Sequence, residues 1–122
     1  MTPLLEAELY VQRVIDAYLH LPDTPRRARP HDHLLAAQLH QRGVPVAIVQ
    51  AAFHLATLRR IHRPPGATPL TPIRSLHYFL PVIEELLQCP PSPSYLRYLR
   101  ERLANTLRSD PADDGSKKIV FT

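Results

Sequence analysis

The chain has 122 residues, of which 44% are apolar and 7% aromatic, and a formal net charge of +4; this length suits one domain with room for about five helices around a single core. No apolar run approaches the roughly 20 residues that cross a bilayer, and the single Cys89 excludes an internal disulfide or a zinc site built from several thiolates. Residues 1–108 carry 13 arginines against 8 acidic residues, a net charge of +5, whereas residues 109–122 carry 2 lysines against 3 aspartates.

The basic part is therefore the part expected to fold. Arginine meets phosphate through a bidentate fork that lysine cannot reproduce, so an anionic partner is one reading of this charge. The other is codon usage, because a chain rich in Arg, Ala, Pro and Leu is what a GC-rich genome encodes. Glu6 and Glu8 stand where a secretory leader needs cations, and the expected location is cytoplasmic.

In chain order, Tyr10, Val11, Val14, Ile15, Tyr18 and Leu19 recur at spacings of three and four and predict an amphipathic helix over 4–20. Pro22 and Pro25 end it, and a loop runs to Pro30. A second helix is predicted over 31–42, with Leu34, Leu35 and Leu39 buried, Asp32 near its positive end and Gly43 supplying the left-handed turn after it. Pro45 opens a third helix to Arg60; Ile48, Val49, Ala52, Phe53 and Ala56 trace its inner face and leave little polar surface, which predicts a central, buried position. Arg59, Arg60, His62 and Arg63 crowd its C-terminal end, where cations offset the helix dipole.

Residues 64–72 contain four prolines and read as a connector. Thr71 and Pro72 then predict the start of a strongly apolar helix to Gln88, with Tyr78 and Phe79 in the core and a kink near His77 or a start near Tyr78 imposed by Pro81. Ser94 is the expected cap of a last helix with Leu96, Leu99, Leu103 and Leu107 on one stripe. The expectation is thus an all-α, compact bundle of about five helices with proline-rich connectors over 1–108, and a disordered tail over 109–122 that ends in Ile119-Val120-Phe121.

Chemical motifs are few. Glycine-rich phosphate loops, Gly-x-Ser-x-Gly elbows and His-Glu-x-x-His pairs do not occur in the sequence. His31, His33 and His40 are the nearest approach to a metal arrangement, but no carboxylate stands three or four residues from the first pair to complete it. Glu84 and Glu85 are adjacent, so they diverge and read as surface charges. No catalytic residue, metal or cofactor is expected. The stretch from Leu35 to Ala52 has the glycine and apolar positions of a helix-turn-helix, yet its second helix would offer base edges only Gln50, His54 and Thr57.

The order of Gly43-Val44-Pro45 to Ala52, then Ile73-Arg74-Ser75-Leu76-His77-Tyr78-Phe79 leading into Val82-Ile83-Glu84-Glu85-Leu86, resembles the helical replication modules of bacterial plasmids, phages and mobile elements, including the DnaD-type primosomal domain. The likeness covers residues 34–88. It implies a non-enzymatic accessory that holds DNA or single strands beside a replication, partition or transposition machine.

On this reading Arg26, Arg27 and Arg29, then Arg59, Arg60 and Arg63, then Arg97 and Arg100 neutralise phosphates of a DNA or RNA backbone, with steep salt dependence and little sequence preference. Tyr95 and Tyr98 beside Arg97 offer rings for stacking. The alternative is a protein-interaction adaptor or small homo-oligomer that associates through the last helix or the Ile119-Val120-Phe121 end.

Overall fold

A computed structural model of the chain describes residues 3–64, 66–68 and 70–108. Every regular element among these is helical: α1 (Pro3–Leu19), α2 (Pro30–Gln41), α3 (Val46–Ile61), a short 3-10 turn (Leu76–Phe79), α4 (Leu80–Gln88) and α5 (Pro93–Arg108). The expected all-α class is therefore observed. No helix among the described residues is long and apolar enough to cross a membrane. The chain divides into two units, Met1–Pro91 and Ser92–Thr122, so the division falls ahead of α5. The boundary expected after residue 108, and the tail beyond it, lie at or outside the edge of the described residues.

In the first unit α3 is the central element, in contact with α1, α4 and the 3-10 turn. Ile48, Val49, Ala51, Ala52, Phe53, Ala56, Thr57 and Leu58 are all buried, as its thin polar face predicts. Three aromatic rings meet at the middle of the core: Phe53 and Phe79 with centroids 4.9 Å apart, and Tyr18 edge-on to Phe79 at 6.1 Å. Such tilted pairs align positive ring edges with negative ring faces.

The turn between α2 and α3 follows from Gly43. Its φ of 78° lies in the left-handed region that glycine enters without a Cβ penalty, and it lets the Gly43 and Val44 amides donate back to His40 and Leu39. The Val44 carbonyl then accepts the Tyr10 hydroxyl at 2.7 Å in a buried bond that ties α1 to this turn. Burial pushes the Tyr10 phenol up to about 12. Tyr10→Phe, which leaves that carbonyl without this donor, is expected to cost about 1–3 kcal/mol in urea unfolding with an unchanged denaturant slope.

Several local expectations are corrected. On α2 the inner stripe is Asp32, Leu35, Ala36 and Leu39, and Leu34 falls off this i, i+3, i+4, i+7 line at 59% exposure. Asp32 holds the place expected of a leucine and is fully buried. Its Oδ2 accepts the Arg29 amide at 2.9 Å and its Oδ1 accepts the Leu76 amide at 2.8 Å, so one carboxyl group caps both α2 and the 3-10 turn.

Of the two outcomes expected from Pro81, a kink near His77 or a start near Tyr78, the second is close to what is observed: the 3-10 turn begins at Leu76 and α4 at Leu80, not at Thr71. Pro81 decides this, because its ring would clash with the carbonyl four residues earlier, at His77, and it is tolerated only in a first helical turn. Residues upstream run without helix to Ser75, whose hydroxyl accepts the His77 amide and starts the 3-10 turn. Phe79 is buried as expected, whereas Tyr78 is 42% exposed and not in the core.

In the second unit α5 is capped by Ser92 rather than Ser94: the Ser92 Oγ accepts the Tyr95 amide at 3.2 Å. Of its leucine stripe, Leu99 and Leu103 are buried and Leu107 is exposed. The Tyr95 and Tyr98 rings stack on each other with centroids 6.0 Å apart, and both are exposed.

Candidate nucleic-acid interface

The arginines singled out by the sequence take three different situations. Arg59 and Arg60 lie in the last turn of α3, where its C-terminal dipole favours them. Arg59 forms a bidentate pair with Glu85 at 2.8 and 3.0 Å. Arg42, at the end of α2, does the same with Glu84 at 2.9 and 3.1 Å. The two adjacent glutamates thus each take an arginine from a different element, and those guanidinium groups hold both carboxyls below the usual range. They orient α4 against α2 and α3, a role that adjacency alone does not suggest.

Arg60 is held most tightly. Its side chain is only 9% exposed, and it donates to the Tyr78 hydroxyl at 3.2 Å, to the Asp23 carboxylate at 3.2 Å and to the Thr71 carbonyl at 3.1 Å. Its guanidinium also lies 5.3 Å from the Tyr78 ring centre, a cation–π distance. Burial works to lower its pKa, and these hydrogen bonds outweigh it. Asp23 itself sits at φ 64°, in the left-handed region, where aspartate is among the more tolerant side chains. Its carbonyl accepts the Ile73 amide at 2.8 Å, fastening the loop after α1 to the segment before the 3-10 turn.

Arg63 follows the end of α3 and is half-buried. Among the described residues it has no hydrogen-bond or ion-pair partner. It lines two adjoining clefts that share Arg60, Arg63 and Leu70. One, of about 370 Å³, adds Ala56, Arg59, Tyr78 and Val82. The other, of about 290 Å³, adds Pro22, Asp23, Thr57 and Ile61. Three arginines against Glu85 and Asp23 leave this region one positive charge in excess.

Arg26, Arg27 and Arg29 are exposed on the loop before α2. Arg29 also offers its backbone to the cap of that helix. The Tyr18 phenol behind this loop is pushed up to about 12 by burial first and by Asp32 second, with Arg29 opposing. Arg97 and Arg100 are exposed on α5, in the second unit. The structure therefore brings together Arg59, Arg60 and Arg63 of the eight, and the two clefts recruit Asp23, Thr57, Leu70 and Tyr78, which the sequence did not mark as a set. Pro22-Asp23-Thr24-Pro25 was visible as a turn, but its contact with Arg60 spans 37 residues.

Other expectations resolve more simply. The His31 ring pairs with His77 at 5.9 Å, and His40 packs edge-on to Tyr10 at 5.0 Å. Among the described residues no group of three His, Cys, Asp or Glu side chains converges as metal ligands would. The would-be recognition helix α3 is the core helix; Thr57 is buried and Gln50 and His54 are half-buried, so this helix is not presented to a major groove. A separate groove of about 510 Å³ between α1 and α2 is floored by Ala7, Val11, Ile15 and Ala37, with Glu8 and Asp16 alongside.

Comparisons with protein-family models, with curated proteins and with solved structures find no match to this chain.

Proposed function

We propose that the protein is a non-catalytic accessory module that binds the phosphate backbone of nucleic acid, like the helical replication modules of mobile elements that its sequence resembles. The observation that carries this reading is Arg63: a half-buried residue whose guanidinium has no partner among the described residues, lining two open clefts. Arg59 and Arg60 beside it are held by Glu85 and Asp23, so they shape the clefts and add to the local positive field. Arg26, Arg27 and Arg29, with Arg97 and Arg100, supply further exposed cations for backbone contact.

The test is fluorescence anisotropy of labelled DNA and RNA at several salt concentrations. Each phosphate neutralised releases condensed counterions, so a footprint of about three phosphates on a single strand gives a log–log salt slope near −2. Arg63→Ala is expected to weaken binding about tenfold and to flatten that slope by about 0.7. Absence of binding at low salt, or affinity indifferent to salt, overturns the reading.

A second reading is favoured by the α1–α2 groove, whose apolar floor suits a protein segment or a second copy. It predicts that Val11→Lys, at a half-exposed position, abolishes association seen in sedimentation while leaving anisotropy unchanged.

A further inference from the structure

The groove between α1 and α2 joins an apolar floor to an acidic rim. Ala7, Val11 and Ile15 recur every four residues and form one row on α1, with Ala37 of α2 alongside. Glu8, Gln12 and Asp16 form the next row of α1, exposed along the edge of the groove. Among the described residues the lining includes no arginine or lysine, and His33 completes it.

The rim carboxylates are unspent. Asp23, Glu84 and Glu85 each bind an arginine, at 3.2, 2.9 and 2.8 Å, and Asp32 accepts two amides. Glu8 and Asp16 take no ion pair among the described residues. Copies of a chain with net charge +4 repel one another at long range. An acidic edge beside an apolar floor is where a segment that is both cationic and apolar overcomes that repulsion.

The sequence holds a segment of this chemistry outside the described residues. Lys117-Lys118-Ile119-Val120-Phe121 sets both lysines of the chain beside three consecutive apolar side chains. Its length also suits the groove. Glu8 and Asp16 stand eight residues apart on a helix, about 12 Å at 1.5 Å per residue, and the four steps from Lys117 to Phe121 cover about 13 Å when extended. Alternate side chains of an extended segment face one way, which puts Ile119 and Phe121 on the floor together. Lysine stems lie along apolar surface and carry their charge to its edge.

We infer that the α1–α2 groove receives segment 117–121 of a second copy of the chain, with Ile119 and Phe121 on the floor of Ala7, Val11 and Ile15 and the two lysines at Glu8 and Asp16. The inference rests on the protein-association reading above and names its occupant. The contact is heterologous, since one copy offers the groove and the other the segment.

The experiment is sedimentation velocity of the full chain from about 10 µM to 1 mM, the range in which a small, weak interface fills. The mass of the parent is expected to rise above that of one chain with concentration, and less so in about 0.5 M salt than in 0.05 M. Val11→Lys closes the groove and Phe121→Asp spoils the segment, and each alone is expected to weaken association at least about tenfold. Mixed together they are expected to form a complex of one chain of each, because the first retains an intact segment and the second an intact groove. A charge-reversed groove, Glu8→Lys with Asp16→Lys, is likewise expected to associate with a chain carrying Lys117→Glu and Lys118→Glu, and neither with itself. Should Val11→Lys lower the melting temperature, the charge-reversed groove, altered only at exposed positions, takes its place.

Association that Val11→Lys abolishes and Phe121→Asp leaves intact overturns the inference, pointing instead to groove against groove, while the association reading stands. Failure of both mixtures to associate overturns the inference as well. A parent that keeps the mass of one chain throughout the range overturns it together with self-association itself.

Discussion

Asp32→Ala is expected to destabilise the protein by about 2–4 kcal/mol, the effect of leaving one buried and one part-buried amide without an acceptor. The Arg29 and Leu76 amides both donate to this carboxyl group, at 2.9 and 2.8 Å, and it is fully buried. The two amides are 47 residues apart in the chain, so the loss is a tertiary one: α2 loses its first-turn cap and the 3-10 turn loses its anchor on α2 at the same time. Equilibrium urea unfolding, followed by far-ultraviolet circular dichroism, measures the change. Asp32→Asn keeps acceptor capacity on one oxygen only and is expected to fall between the parent and Asp32→Ala. A loss below about 0.5 kcal/mol, the scale of an ordinary surface substitution, would show that this carboxyl is not what joins the two elements. The His31 ring nitrogen lies 3.5 Å from the same carboxyl, and His31→Ala is a control expected to matter far less, since that ring is exposed.

Asp32 also marks the limit of what periodicity alone reveals. A helix with apolar residues at positions 34, 35 and 39 reads as a leucine face, and the stripe rule places Leu34 within it. The actual stripe is rotated so that a carboxyl group enters the core, because two amides elsewhere need an acceptor there. Only the contact partner, 44 residues away at Leu76, reveals that need. By contrast the central position of α3 was legible: Ile48, Val49, Ala52, Phe53 and Ala56 leave little polar surface, although the burial of Thr57 was not. The same lack of polar surface removes it from consideration as a reader of base edges.

Proline punctuation was legible in kind and misplaced in extent. Pro81 forces a fresh start rather than a kink, and the Ser75 hydroxyl, by accepting the His77 amide, starts the 3-10 turn just ahead of it. That turn rotates Tyr78 outward and Phe79 inward. The candidate site suffers the same limit. A cluster of arginines after α3 is visible in the chain, yet which of them is engaged depends on Glu85 and Asp23 in other segments. Arg63 stands apart from Arg59 and Arg60 only once those carboxylates are placed. Thr57, one turn before the cluster, reads as an ordinary helix residue until its hydroxyl is found without a partner among the described residues.

Phe79→Ala carries the other large expected loss, about 3–5 kcal/mol, as for a fully buried ring whose removal leaves a cavity. Phe79 makes the two shorter contacts of the aromatic group, at 4.9 Å to Phe53 and 6.1 Å to Tyr18, against 6.5 Å between Tyr18 and Phe53, and it has no exposed surface. Small domains are stable by roughly 5–15 kcal/mol in total, so this one change consumes a large part of the margin. Phe79→Leu keeps most of the volume and is expected to cost less than half as much. Urea midpoints of the two variants, at constant denaturant slope, give the comparison. The position also bears on the site, since Phe79 anchors the turn that presents Tyr78 to the 370 Å³ cleft. Were Phe79→Ala to cost under about 1 kcal/mol, its ring would not be the centre of this core, because even a partial collapse of the cavity leaves more than that from lost transfer free energy alone.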